Sequence, residues 1–291
     1  MTEHSISLLA FAKINLHLQV TGRRADGYHN ISSLMQSVSL ADRLSVRITD
    51  APEIRVETEG AEIAGDNLVR KAAEAFLRVT GRTEGVAIRL LKQIPLSAGL
   101  GGGSADAAAV LLALNRLFGN PLERQTLLRL GLSLGADVPF CMTGGTQLCE
   151  GLGEVLTPVP AVRPMPVLLI KQFQKASTGA MYQKIDEAGC DTGEILTGRI
   201  AQAIGAGRFS DAAGLCRNSF LQVSPNRAEQ EQLCRELIGA GAVLAGLSGS
   251  GPTVFGLFEA LSDQTVEAFK VEGREVYRCE TVDKGVSFLN N

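Results

Sequence analysis

The beginning of the chain alternates apolar and polar positions with the period of a β-strand. Every second residue over positions 6–20 is apolar. The opposite face carries four polar side chains in its second half: Lys13, Asn15, His17 and Gln19. Because successive side chains of a strand point to opposite faces, this pattern predicts one long strand, followed by a turn at Asp26-Gly27. The same alternation over 44–48 and 86–90 predicts two more strands.

Three helices are predicted next, and a glycine closes each of them. Their spans are 67–79 before Gly81, 105–118 before Gly119 and 122–134 before Gly135. Asp66 and Asn67 are candidate caps for the first helix, because their short side chains can accept hydrogen bonds from its first free N–H groups.

A proline-rich segment at 157–166 marks the best boundary in the chain. Four of its residues are proline, which cannot continue a helix or a central strand. We therefore predict two domains, residues 1–160 and 161–291. Strands are predicted over 167–170, 243–245, 253–258 and 276–282, and helices over 178–188, 195–206, 226–239 and 262–270. This mixture favours an α/β or α+β fold.

Composition excludes several classes of function. The 291 residues include 28 basic and 31 acidic side chains, so the net charge of −3 argues against a general nucleic-acid binder. Only three histidines exist, which excludes a histidine-rich metal site. No apolar run approaches the ~20 residues of a membrane span. The six cysteines form no C-x-x-C pair and the first residues lack the basic start of a signal peptide, so we expect a cytoplasmic protein.

The densest glycine cluster lies between a predicted strand and a predicted helix. Glycine allows positive φ and close approach of a ligand, and the N-terminus of a helix attracts anions. We therefore predict a polyphosphate site here, with Ser104 as the helix cap; a flexible linking loop is the alternative. The cluster, called the glycine loop below, consists of Pro95, Leu96, Ser97, Ala98, Gly99, Leu100, Gly101, Gly102, Gly103, Ser104 and Ala105.

The glycine loop does not match two common phosphate motifs. Counted from Gly99, the dinucleotide fingerprint G-x-G-x-x-G would require glycine at position 104, which is serine. The sequence contains no Gly-Lys dipeptide, which excludes a Walker A loop. The signatures of protein kinases are also absent. The loop therefore belongs to another class of phosphate site.

A lone acid and a lone lysine are the candidate chemical groups. Asp137 stands between apolar residues and before Val-Pro, which favours an acid on extended backbone; an ordinary turn cap is the alternative. Lys13 shares a strand face with Asn15, and in so apolar a strand it either reaches water or meets an anion. Lys13 and Asp137 could form a pair, but the sequence does not show whether they meet.

A second glycine-containing segment, the serine turn (residues 248–251), lies between two predicted strands. We interpret it either as a tight turn or as a second wall that packs on the glycine loop. The G-x-S-x-G pattern fails around both of its serines, and no histidine is suitably placed. A serine hydrolase is therefore not expected.

Together and in this order, these motifs resemble the GHMP kinase superfamily. The resemblance rests on residues 12–16, 22–29, 95–107, 135–139 and 248–251. It implies an α+β fold of two domains, with the substrate in the cleft between them. The N-terminal domain would be a βαβ domain that carries the nucleotide loop, and the C-terminal domain would be ferredoxin-like.

The resemblance also implies an ATP-dependent kinase for a small alcohol, with Mg²⁺ recruited mainly by the phosphates. The backbone of the glycine loop would wrap the ATP phosphates, and Asn67 and Lys92 would lie near the adenine. Asp137 would take the proton from the acceptor hydroxyl, while Lys13 would polarise that hydroxyl and steady the developing charge.

The segment Asp-Gly-Tyr-His, residues 26–29, narrows the implied acceptor to a cytidine diphosphate derivative of methylerythritol. Its 2-hydroxyl would be phosphorylated in non-mevalonate isoprenoid synthesis. The implied substrate-binding residues are Asn15, Tyr28, His29 and Tyr182. Tyr28 and His29 would hold the cytosine and Tyr182 would stack on it, with Phe173 as the alternative aromatic. Neither nucleic acid nor membrane is an expected partner, and a homodimer is compatible with this interpretation.

Two competing interpretations stay open. One is a kinase of the same superfamily that acts on a different small alcohol. The other is a nucleotide-binding sensor that has kept the fold but lost catalysis.

Overall fold

The computed structural model describes residues 5–61, 67–160, 163–174, 176–189 and 193–289. Its strands are β1 (Ser5–Arg23), β2 (His29–Thr49), β3 (Ile54–Glu59), β4 (Gly85–Leu91), β5 (Thr146–Gly151), β6 (Val155–Pro158), β7 (Pro166–Lys171), β8 (Ala242–Leu247), β9 (Val254–Phe258), β10 (Glu275–Glu280) and β11 (Val286–Leu289). Its helices are α1 (Leu68–Thr80), α2 (Gly102–Leu117), α3 (Arg124–Leu134), α4 (Val138–Thr143), α5 (Thr178–Ala188), α6 (Thr197–Gly205), α7 (Phe209–Ala213), α8 (Ser219–Val223), α9 (Arg227–Gly239) and α10 (Asp263–Phe269). No helix in these ranges is long and apolar enough to cross a membrane.

The strands form two sheets. The first has the order β11-β1-β2-β4-β3, with β5 beside β2 and β6 beside β5. Within it, β3, α1 and β4 form a βαβ unit, because β3 and β4 pair in parallel. The second sheet has the order β10-β7-β9-β8, and all its pairs are antiparallel. Its strands and helices follow the β-α-β-β-α-β order of a ferredoxin-like fold. The predicted α+β class is thus confirmed.

The predicted long strand is confirmed as β1, but its two faces are not constant. Ile6, Leu8 and Ala10 pack in the core beneath α1 and α2, whereas residues 12, 14 and 16 pack against the second sheet. Irregular register occurs between Phe11 and Ala12 and again between residues 15 and 17. Such bulges rotate the following side chains to the opposite face.

This rotation has a direct consequence for the polar residues of β1. Lys13 and Asn15 are turned toward the side that carries α2, and both are buried. The polar face of β1 at these two residues is therefore covered by protein. In a sheet with one solvated face, such polar residues would be exposed to water.

The caps of α1 follow the sequence prediction. The side chain of Asn67 accepts a hydrogen bond from the N–H of Val69 at 2.9 Å, and Gly81 closes the helix in the left-handed conformation. Asp66, the other candidate cap, lies outside the described residues. The predicted cap of α2 is wrong: Gly101 occupies that position with φ +71°, and Ser104 lies inside the first turn. Glycine adopts this φ without the steric cost that a serine would incur.

The predicted strands and helices of the second half are all present, with ends shifted by a few residues. One feature links this half to the first. Strand β11, near the end of the chain, pairs with β1 in the first sheet. The domain boundary at residue 160 remains a prediction. Strand β11 lies after this boundary in the chain but belongs to the sheet of the first half.

Candidate active site

A cavity of about 1010 Å³ lies beside the glycine loop. This volume is at the upper end of the ~300–1,000 Å³ typical of small-molecule sites. Three groups of residues line it: the glycine loop, the Lys13–Asp137 region, and an aromatic end formed by Tyr28, His29 and Tyr182. The structure therefore brings together most of the site residues predicted from the sequence.

The glycine loop is held in a conformation that depends on its small residues. Ser97, Gly99 and Gly101 have φ of +53°, +77° and +71°. A Cβ on Gly99 would overlap the carbonyl oxygen of Ser248, and a Cβ on Gly101 would lie 2.9 Å from Cγ of Lys13. These contacts leave no room for larger side chains, so the close packing of the loop favours the phosphate site over the alternative of a flexible linker.

The serine turn forms the second wall that one interpretation of the sequence proposed. Ser248 Oγ donates a hydrogen bond to the carbonyl oxygen of Gly99 at 2.9 Å. The N–H of Thr253 donates to the carbonyl oxygen of Ala98 at 3.3 Å. The two glycine-containing segments therefore stabilise each other across the two halves of the chain.

The start of α2 supplies donors for an anion. The first intrahelical hydrogen bond of α2 runs from the N–H of Ala105 to the carbonyl oxygen of Gly101, at 2.9 Å. The N–H groups of Gly102, Gly103 and Ser104 precede it and, by helix geometry, have no intrahelical acceptor. All three residues line the cavity. Together with the helix dipole they form a site suited to phosphate oxygens.

Lys13 and Asp137 meet at the edge of the glycine loop. The Lys13 Nζ lies 3.4 Å from a carboxylate oxygen of Asp137. The lysine side chain is 5% exposed, while that of Asp137 is 32% exposed and opens to the cavity. The Lys13 ammonium also donates a hydrogen bond to Asn15 Oδ1 at 2.8 Å. The Lys13–Asp137 pair, which the sequence alone could not establish, is therefore present in the structure.

The backbone of Asp137 differs from the sequence prediction. It is not extended: with φ −80° and ψ −13°, Asp137 occupies the N-cap position of α4. Pro139 is tolerated just after it because the first helical turn needs no N–H donor there. The Asp137 side chain makes no capping hydrogen bond. Its carboxylate is therefore available to Lys13 and to the cavity.

Asn15 connects three parts of the site. Its Oδ1 accepts from Lys13 and also from the N–H of Gly249, at 2.8 Å. Its Nδ2 donates to Ser33 Oγ at 2.9 Å. Because the amide is held from both sides, Asn15 fixes the Lys13 ammonium and ties the serine turn to β1.

Lys92 occupies a buried charge cluster beneath the start of α2. Its Nζ bonds to Asp42 on β2 and, at 2.8 Å, to Asp106 on α2. Burial works to lower the pKa of Lys92, but the two carboxylates outweigh it and raise the pKa. Burial raises the pKa of Asp106 to about 8, against the opposing effect of Lys92. The other oxygen of Asp42 accepts the N–H groups of Gln93 and Ile94, so the cluster anchors the approach to the glycine loop.

The aromatic end contains one stacked pair. The rings of His29 and Tyr182 are 4.5 Å apart and inclined by 15°, and Phe220 contacts Tyr182 edge-on. Tyr28 is 65% exposed and lines the cavity. Of the two candidate aromatics, Tyr182 lines the cavity, whereas Phe173 is not among its lining residues in the described ranges. Burial, with a smaller effect from Asp137, raises the pKa of Tyr182 to about 12, so its hydroxyl is neutral.

Comparisons with known proteins agree with this geometry. Sequence models match the GHMP kinases N terminal domain over residues 67–145 and the GHMP kinases C terminal region over 200–278. A 4-diphosphocytidyl-2-C-methyl-D-erythritol kinase of Geobacter metallireducens is 40% identical over 260 residues, covering 87% of this chain and 89% of the relative. The chain belongs to the GHMP kinase family. The resemblance predicted from the motifs is thereby confirmed.

Two further comparisons cover almost the whole of this GHMP kinase. A 4-diphosphocytidyl-2-C-methyl-D-erythritol kinase of Thermoanaerobacter pseudethanolicus is 37% identical, covering 97% of this chain and 98% of the relative. A crystal structure of 4-(cytidine 5'-diphospho)-2C-methyl-D-erythritol kinase has a TM-score of 0.79 at 32% identity, covering 95% of this chain and 99% of that one. The family assignment thus holds for both halves.

Sequence reasoning missed three residues of this kinase site: Asp42, Asp106 and Asp186. Asp106 stands one residue after the glycine loop, and its place in a helix of small apolar residues was a usable signal of a buried partner. Asp42 and Asp186 have no such local signal. Their contacts join residues that are 50 and 157 positions apart in the chain.

Proposed function

We propose that this GHMP kinase transfers the γ-phosphate of ATP to the 2-hydroxyl of 4-diphosphocytidyl-2-C-methyl-D-erythritol. The products are ADP and the 2-phosphate, an intermediate of non-mevalonate isoprenoid precursor synthesis. The names of the similar kinases support the substrate. The observation that carries the chemistry is the Lys13–Asp137 pair, which opens on the cavity beside the free N–H groups of α2.

The phosphate end of the cavity suits ATP. Phosphoryl transfer requires positioning and charge neutralisation more than covalent participation of the protein. The N–H groups of Gly102, Gly103 and Ser104 provide donors that need no reorganisation when the phosphates arrive. The proposed adenine contacts of Asn67 and Lys92 have weaker support, because Asn67 caps α1 and Lys92 is bonded to two carboxylates.

The acceptor hydroxyl would lie between Asp137 and the γ-phosphate. Its oxygen forms a bond to phosphorus while the bond between phosphorus and the β–γ bridging oxygen breaks, and ADP leaves. The proton of the hydroxyl passes to the Asp137 carboxylate. General-base assistance of this kind contributes roughly 10²–10⁴-fold. Lys13, held in place by Asn15, steadies the negative charge on the attacking oxygen and on the transferring group.

Magnesium fits this site as a companion of ATP. In the described part of the chain, no group of three or more His, Cys, Asp or Glu residues could hold a metal ion alone. The Ser104 hydroxyl and the Asp137 carboxylate line the cavity and are oxygen donors of the kind Mg²⁺ prefers. When bound, Mg²⁺ would neutralise charge on the phosphates, whose oxygens would supply most of its ligands.

The aromatic end suits the cytosine. A base that stacks on an aromatic side chain gains ~1–3 kcal/mol. Tyr28 offers an exposed ring, and Tyr182 is held by His29 on one face and by Phe220 at its edge. Asn15 would assist the acceptor indirectly, through the Lys13 ammonium.

Two further properties are proposals about the protein in the cell. Five cysteines of the described chain carry free thiols, which supports a reducing compartment such as the cytoplasm. The proposed oligomeric state is a homodimer. Sedimentation of the purified protein and fractionation of the source cells test these points.

ADP release on a panel of acceptors tests the proposed function. We expect turnover with the cytidine diphosphate methylerythritol compound, and little with mevalonate or homoserine. Turnover of one of the latter alone would assign the chain to another small alcohol. ATP binding without turnover of any acceptor would identify a nucleotide sensor.

A further inference from the structure

A carboxylate on α5 holds the histidine of the aromatic end. His29 Nε2 and Asp186 Oδ1 are 2.7 Å apart, although His29 belongs to β2. The second oxygen of Asp186 lies 3.4 Å from Nη1 of Arg23. All three residues line the cavity. The mechanism proposed above does not use Asp186.

Opposite an ionised Asp186 carboxylate, this contact requires a proton on Nε2 of His29. An ionised carboxylate only accepts hydrogen bonds, so Nε2 must be the donor. In a neutral imidazole with a proton on Nε2, Nδ1 keeps a lone pair and is an acceptor. Among the described contacts, Nδ1 has no hydrogen-bond partner. Tyr182 covers one face of the ring and restricts its rotation.

We propose that Asp186 makes this kinase selective for an amino-bearing pyrimidine by fixing the tautomer of His29. The inference rests on the proposed function, in that the cavity takes a cytidine diphosphate compound. Cytosine has an amino donor where uracil has a carbonyl acceptor. The lone pair on Nδ1 accepts from the amino group, but it repels the carbonyl oxygen and leaves both groups unsatisfied. Such buried mismatches discriminate more strongly than apolar contacts do.

Asp186 is a positioning residue, because it acts on the base only through His29. In Asp186→Asn, the amide can donate to Nε2, which moves the ring proton to Nδ1 and turns the acceptor into a donor. Glu187→Gln is the matched control, because it removes the same charge from the next, exposed position of α5. Asp186→Glu keeps a carboxylate and should retain part of the selectivity.

Calorimetry with CDP and UDP measures the selectivity without turnover. The protein is first saturated with a non-hydrolysable ATP analogue, so that the nucleoside diphosphates bind only at the acceptor site. We expect wild type and Glu187→Gln to bind CDP ~10–100-fold more tightly than UDP. In Asp186→Asn this ratio should fall at least ~10-fold. Equal affinities in the wild type, or an unchanged ratio in Asp186→Asn, would overturn the inference.

The ¹⁵N NMR spectrum of His29 tests the tautomer itself. We expect a proton on Nε2 in the wild type and on Nδ1 in Asp186→Asn. A wild-type ring protonated on Nδ1 overturns the inference even if the variant does not fold, and so does a fall in the ratio without a change of tautomer. If both measurements agree with expectation but the cytidine compound is not phosphorylated, the inference stands and the proposed function fails.

Discussion

Lys13 and Asp137 form an ion pair in which both partners line the cavity but only Asp137 is substantially exposed. The lysine is enclosed and bonded to Asn15, whereas the carboxylate is about a third exposed. Asp137 can therefore turn toward an acceptor hydroxyl while Lys13 keeps its place. The pair forms because β1, which carries Lys13, meets the start of α4, where Asp137 lies, although the two elements are far apart in the chain.

Replacing Asp137 by asparagine should remove the proton acceptor and keep the shape of the site. We expect kcat to fall by ~10²–10⁴ with little change in affinity for ATP. Steady-state kinetics and calorimetry with an ATP analogue measure the two quantities. Asp211→Asn, at an exposed position of α7, is the control. Unchanged turnover in Asp137→Asn would remove Asp137 from the mechanism.

Replacing Gly101 by alanine should displace Lys13. The added Cβ would lie 2.9 Å from Cγ of Lys13, and φ is +71°. Gly119 has φ +77° and open space around it, so Gly119→Ala carries only the backbone cost of ~1–2 kcal/mol. We expect both variants to lose stability, and only Gly101→Ala to lose about 100-fold in kcat, since small misplacements have such effects. Similar kcat values for the two variants would contradict the packing argument.

Asp106 should make the protein less stable as pH rises. The pKa of its carboxyl is about 8 in the fold, compared with the ordinary value of 3.8. Between these values the folded chain binds a proton that the unfolded chain has released, so stability decreases with increasing pH. Asp106→Asn removes this loss. From about pH 5 to about pH 8, its Tm should therefore rise relative to wild type by several degrees, a change of roughly 4 kcal/mol.

Thermal unfolding followed by circular dichroism measures this difference. Asp211→Asn is again the control, because its carboxylate is exposed. Parallel pH profiles for wild type and Asp106→Asn would show that the buried cluster does not hold a proton on Asp106.

Tyr28 is expected to act on the acceptor and not on ATP. Tyr28→Ala removes an exposed ring from the aromatic end, which should raise KM for the cytidine compound by roughly 5–100-fold, the equivalent of ~1–3 kcal/mol of stacking. Tyr28→Phe keeps the ring and should retain most of the affinity. KM for ATP should be unchanged in both variants. An effect confined to ATP would place Tyr28 elsewhere.

The sequence predicted those parts of the molecule that depend on neighbouring residues. Asn67 and Gly81 delimit α1 because capping uses side chains and backbone within one turn. The glycine loop is predictable for the same reason, because its glycines and the following helix form one local unit. The motif resemblance added the roles of Lys13 and Asp137, and the structure brings these two residues together.

The sequence did not predict features that arise when distant segments pack. The bulges that turn Lys13 toward α2 depend on the pairing of β1 with β2, and alternation alone implies constant faces. The cluster of Asp42, Lys92 and Asp106 joins a strand, a loop and a helix. Residue preference predicts Ser104 as the cap of α2, but the left-handed backbone of Gly101 starts the helix three residues earlier.

A crystal structure with the cytidine diphosphate methylerythritol compound and a non-hydrolysable ATP analogue tests the central claim most directly. The account predicts that the 2-hydroxyl oxygen lies within ~2.6–3.2 Å of an Asp137 carboxylate oxygen and in line with the γ-phosphorus. The phosphates should lie on the N–H groups of Gly102, Gly103 and Ser104. A complex with the 2-hydroxyl turned away from Asp137, or with the phosphates away from the start of α2, would contradict it.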